Sequence, residues 1–98
     1  MDKKKQLLEQ LKIVINSLEK DYAKDVNSGI LELIYRRYRR ALKILENDRD
    51  IKEITIIGGV RAYLDSHSDY QNPLLEELHV AEKLSEELLG EHHNIVKF

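Results

Sequence analysis

The side chains best suited to acid–base or metal chemistry are four histidines, His67, His79, His92 and His93. His92 and His93 are adjacent, so regular structure cannot present both on one face. No H-x-x-x-H or H-E-x-x-H pair occurs, the spacing that sets two imidazoles one helical turn apart for a metal ion. A metal site would need His67 and Asp69 to meet His79 or the C-terminal residues. Solvated histidines are the expectation, with no metal and no cofactor. Glu76/Glu77, Glu82/Glu86 and Glu86/Glu87 lie in one acidic stretch, and their spacing singles out none as a general acid or base. A di-iron helical bundle needs the E-x-x-H pair twice; here it occurs once, at Glu76 and His79. Gly58-Gly59 lacks the lysine and hydroxyl of a P-loop and the third glycine of a dinucleotide loop. Ser17, Ser28, Ser66, Ser68 and Ser85 carry no flanking signature of a nucleophile. The absence of cysteine excludes a disulfide framework, a thiolate metal site and a cysteine nucleophile, and fits a reducing compartment. These residues predict a non-enzymatic protein.

The remaining chemistry is charge. Net charge is −2 over 98 residues, which implies no partner by itself. Its distribution is uneven. Residues 30–45 hold Arg36, Arg37, Arg39, Arg40 and Lys43 against Glu32 alone, whereas residues 72–91 hold six glutamates against Lys83. Either these two segments lie together and compensate, or the five cations form a basic patch for anionic lipid, nucleic acid or an acidic protein. Nucleic-acid binding calls for exposed aromatics among the cations. Tyr35 and Tyr38 fall on an apolar stripe instead.

The elements that would position these groups read as helices. In residues 2–24, Leu7, Leu8, Leu11, Val14, Ile15, Leu18 and Tyr22 recur at helical spacing, with Ile13 pointing away. Asn27 or Ser28 can cap a second helix, residues 28–46. Its stripe is Leu31, Ile34, Tyr35, Tyr38, Leu42 and Leu45, flanked by a second line of Ile30, Leu33, Ala41 and Ile44. So broad an apolar surface makes this the expected central helix. Residues 50–66 are expected to be a third helix, burying Ile54, Ile57, Val60 and Leu64 with Ile56 and Tyr63 along the edge of that face, although β-branched residues and Gly58-Gly59 weigh against it. Asn72-Pro73 is a strong helix start, a capping asparagine before a proline at the first helical position. The fourth helix, residues 72–90, is expected to bury Leu74, Leu75, Leu78, Ala81, Leu88 and Leu89 and to stop at Gly90, with residues 91–98 as a tail. The predicted fold is all-α, an antiparallel four-helix bundle, up-down-up-down, in one domain over residues 1–98. No run approaches the ~20 apolar residues of a membrane span. No signal-peptide core follows the N-terminal lysines. A cytoplasmic protein is expected, peripheral to the inner face of the membrane at most.

The order Ile30-Leu31-Glu32-Leu33 before a basic helix, then Val60-Arg61-Ala62-Tyr63-Leu64, then Tyr70-Gln71-x-x-Leu74-Leu75-x-x-Leu78 resembles the immunity proteins of pediocin-like bacteriocins, the enterocin A immunity group. The resemblance covers about residues 30–90. It implies a small cytosolic antiparallel four-helix bundle that protects a bacteriocin producer by binding, from inside, a mannose phosphotransferase permease occupied by the bacteriocin. It also implies that specificity lies in the C-terminal half. Here that half ends in His92, His93, Ile95, Val96, Lys97 and Phe98, the candidate recognition surface. Two other readings stand beside it. One is a helical adaptor or regulator dimerising through Ile13, Leu33, Ile44 or Val80. The other is a nucleic-acid binder using residues 36–40.

Overall fold

A computed structural model describes residues 3–23, 29–47, 50–66 and 72–96, with side chains omitted at 66 and 91–96. Among these residues there are four α-helices and no strand: α1 (Lys3–Asp21), α2 (Gly29–Glu46), α3 (Gly59–Ser66) and α4 (Pro73–Val96), with one 3₁₀ turn at Ile51–Glu53. The expected caps at Asn27 or Ser28 lie outside the described residues.

The helical spacing in α1 translates directly into burial. Leu7, Leu11, Val14 and Leu18 are fully buried and Ile15 nearly so, while Ile13 is exposed. From α4, Leu74, Leu75, Leu78 and Ala81 join the same core, with Leu88 and Leu89 packed at its edge. Ser85 is also buried. It continues the small-residue line begun by Ala81 one turn earlier. In α2 the buried face lies between the two expected lines: Leu31, Ile34, Tyr38, Ala41, Ile44 and Leu45 are buried, Tyr35 and Leu42 are only partly covered, and Leu33 is exposed. Burial of Ile44 removes it from the surface residues expected to mediate dimerisation.

The central element is α1 rather than α2. It packs along both α4 and α2; α2 meets α3 and the 3₁₀ turn on another side, and α3 rests on α4. Thus α1 lies against both long helices, and α2 and α4 share no extensive interface. The expected compensation between basic α2 and acidic α4 is therefore not how these charges are arranged. The stripe of α1, Leu7, Leu11, Val14, Ile15 and Leu18, is buried because both α2 and α4 pack on it.

The third predicted helix, residues 50–66, is the largest correction. Asp50 caps the 3₁₀ turn by accepting from Lys52 N at 3.0 Å. The chain is extended at Ile54 (φ −72°, ψ 125°), and helix resumes only at Gly59. Gly58 has φ +103°, a conformation that side chains with a Cβ rarely adopt. Its carbonyl accepts from Ala62 N at 2.9 Å, which makes it the residue that starts α3. The β-branched run around Thr55 favours extended backbone, and the glycine pair halts propagation. Helical phase is lost across the break. Ile56, expected at an edge, is buried, and Ile57, expected inside, is exposed.

Two helix ends also differ. The first helix stops at Asp21, short of residue 24. The fourth continues past Gly90 to Val96, so the expected tail is helical in its first six residues. Gly90 does not take the positive φ that a left-handed cap requires. A lone glycine costs a helix interior about 1 kcal/mol, which strong helix formers on both sides can offset.

Candidate functional site

Polar side chains inside the molecule fasten helices to one another. Gln10 interrupts the α1 stripe between Leu7 and Val14 and is itself buried. Its Nε2 donates to the Glu77 carbonyl at 3.0 Å and to Glu77 Oε2 at 2.9 Å, tying α1 to α4. Asn72 caps α4 as its sequence context predicts: Oδ1 accepts from Leu74 N at 2.9 Å. The same oxygen accepts from the Tyr22 hydroxyl at 2.7 Å, and Nδ2 donates to the Tyr63 hydroxyl at 2.8 Å. One amide thus joins the end of α1, the start of α4 and α3. Glu82 of α4 reaches across to the first turn of α3. Oε1 accepts from Gly58 N at 3.1 Å and Oε2 from Val60 N at 2.7 Å. A carboxylate there satisfies two backbone donors that the helix itself cannot, and it faces the positive end of the α3 dipole.

Sequence reasoning missed Gln10 and Glu82. Gln10 had a signal: a polar residue at a core position must have a partner. Glu82 had none, being one acid among several on α4.

Tyr38 is the exception among the buried polar groups. It is 1% exposed, and its hydroxyl has no hydrogen-bond partner among the described residues. Burial pushes its ionisation far above the usual tyrosine value, and the negative charge of Glu82 adds to the effect. An unpaired buried hydroxyl carries a desolvation cost without a return. Tyr38→Phe is therefore expected to stabilise the protein by about 0.5–1 kcal/mol in urea unfolding; a loss of that size would show that the hydroxyl is paired.

The basic residues of α2 gather at the surface. Tyr35, Arg36, Arg39, Arg40 and Lys43 line a shallow cleft of about 300 Å³. Four of the five expected patch residues meet there; Arg37 does not line it. Arg39, half exposed, is held by Glu19 and Tyr35. Its Nη1 donates to Glu19 Oε2 of α1 at 3.2 Å and lies 3.4 Å from the Tyr35 hydroxyl, and its guanidinium stands 5.8 Å from the Tyr35 ring centre. Tyr35 also donates to Glu19 Oε2, at 2.5 Å. That bond, then burial and the Glu19 charge, raise the tyrosine's ionisation, with Arg39 opposing. The hydroxyl therefore stays a neutral donor. Arg36 pairs with Glu32 one turn earlier at 3.6 Å. Arg40 and Lys43 are exposed.

A second groove of about 560 Å³ runs between α3 and α4. Val60 and Leu64 form its apolar part, and Arg61, Asp65, His79, Lys83 and Glu86 its rim, beside Glu82. His79 and Glu76 are both exposed. His67 and Asp69, the other members of the conceivable metal set, lie outside the described residues. Among the described residues no three His, Asp or Glu side chains are placed to hold a metal ion. Of the candidate recognition surface, His92, His93, Ile95 and Val96 fall on the α4 backbone, with side chains not described; Lys97 and Phe98 lie outside the described residues.

The family described as YeeD uncharacterised protein matches residues 1–92. The chain belongs to the YeeD family. The relative from Bacillus subtilis (strain 168), "Uncharacterized protein YeeD", is 30% identical over 95 residues, covering 89% of this chain and 93% of its own length. The family match therefore runs through α1, α2, α3 and most of α4 rather than one motif. No solved structure matches. No helix among the described residues is long and apolar enough to cross a membrane.

Proposed function

We propose that this chain is a cytoplasmic, non-enzymatic binding protein that confers immunity on a bacteriocin producer by engaging the bacteriocin-occupied permease from the inner side. The reading rests on the resemblance of residues 30–90 to the enterocin A immunity group. The observation that carries its non-enzymatic part is the use of the interior polar groups. Gln10, Asn72, Glu77 and Glu82 are all engaged in holding helices together. The surface is left to act by contact. An antiparallel up-down order of the helices belongs to the same reading, and the Tyr22–Asn72 bond, which joins the end of α1 to the start of α4, agrees with it.

The helical continuation of α4 to Val96 supports the reading by giving His92, His93, Ile95 and Val96 a helical backbone. Expression in a strain sensitive to pediocin-like bacteriocins is expected to raise the inhibitory concentration of at least one of a panel of them. Removal of residues 94–98 is expected to abolish protection at unchanged protein level. No protection against any peptide overturns the proposal; full protection by the truncated chain removes the C-terminal end from the mechanism.

A further inference from the structure

We infer that the cationic strip on α2 is a docking surface for anionic lipid headgroups at a bilayer. The inference does not depend on the immunity reading. Arg36, Arg40 and Lys43 follow one another at i, i+4 and i+7, so they line one outward face. Arg39 borders that face, held in place by Glu19 and the Tyr35 ring. The acidic helix α4 packs on α1 and shares no extensive interface with α2. The strip is therefore not neutralised by the acidic stretch. Glu32 and Glu19 meet Arg36 and Arg39, and Arg40 and Lys43 have no acidic partner among the described residues.

Beside the strip lies Leu33, 39% exposed, one turn before Arg36 and Arg37 and two turns before Arg40. Cations with aliphatic stems next to an exposed leucine are the composition of a helix that lies in a headgroup layer. Each free cation near an anionic bilayer contributes about 1 kcal/mol, so Arg40 and Lys43, with a smaller share from the ion-paired Arg36 and Arg39, give weak, salt-sensitive binding. Nucleic acid fits less well. The aromatics that would stack on bases are withdrawn, Tyr38 into the core and Tyr35 under Arg39 with its hydroxyl on Glu19.

The test is co-sedimentation of the full chain with vesicles. Binding to phosphatidylglycerol-rich vesicles is expected, with none to pure phosphatidylcholine. It should be lost at about 0.5 M salt, where charges are screened within a few ångströms. The double variant Arg40→Glu/Lys43→Glu is expected to lose at least about tenfold in affinity. The control Lys12→Glu/Lys20→Glu has the same net charge, with both changes at exposed positions of α1, and should lose little. Leu33→Ser is expected to weaken vesicle binding several-fold while leaving retention on heparin unchanged. Circular dichroism verifies folding, and Arg40→Gln/Lys43→Gln replaces the double reversal if that variant unfolds. No binding to anionic vesicles, equal loss in the control, or tighter binding to DNA than to vesicles overturns the inference. Protection against bacteriocin is scored separately, so either idea can fail alone.

Discussion

Replacing Asn72 by alanine is expected to destabilise the protein by about 2–3 kcal/mol, the sum of a helix cap near 1 kcal/mol and two partly buried side-chain hydrogen bonds of similar size. For a chain of this length that is a fall of about 10–20 °C in melting temperature. The size of the effect comes from the number of elements that meet at one amide. Its oxygen serves the α4 backbone and Tyr22, and its nitrogen serves Tyr63. Asn72→Asp is the informative companion. A carboxylate keeps the cap and the Tyr22 bond, and the Tyr63 hydroxyl can rotate to donate to it. Asp is expected to recover most of the loss. Equal damage from Ala and Asp would mean that the Nδ2 donor, rather than the oxygen, carries the node. Measurement is by thermal and urea unfolding of the three proteins.

The second large effect is expected at Glu82. Glu82→Ala strips the acceptor from Val60 N, which is part-buried, and from Gly58 N, which water can reach. Hydrogen bonds to charged groups contribute about 1.5–3 kcal/mol when desolvated and less when solvated, so a total loss of about 2–3 kcal/mol is expected. Glu82→Gln retains one acceptor oxygen and should fall between. The loss should also be localised: amide exchange at the start of α3 should quicken far more than in α1. An eight-residue helix is too short to persist without tertiary support. Uniform acceleration across all four helices would show that Glu82 supports the whole core rather than this joint.

Both residues show where sequence reading reached and where it stopped. Asn72 was legible as a cap because capping involves a side chain and a backbone amide two residues apart. Its bonds to Tyr63 and Tyr22, nine and fifty positions away, were not. The basic patch was legible as a cluster on one helix. Its partial neutralisation by Glu19 was not, because α1 supplies the carboxylate. The candidate recognition residues could be read only as a tail, since Gly90 is a common stop signal. The structure instead carries the helix through Gly90 to Val96.

What the amino-acid order determined alone was the helical identity of most of the chain and the buried side of α1 and α4. The reason is that a helix is closed by hydrogen bonds four residues long, so a leucine every third or fourth position defines its face wherever the helix is placed. The break at residues 54–58 and the loss of phase that buried Ile56 and exposed Ile57 were decided at tertiary level. So was the choice of α1 as the shared neighbour of α2 and α4. There the competing local structures differ by only about 1–2 kcal/mol of propensity. A carboxylate arriving from another helix, and the sharing of apolar surface among three stripes, are large enough to choose between them.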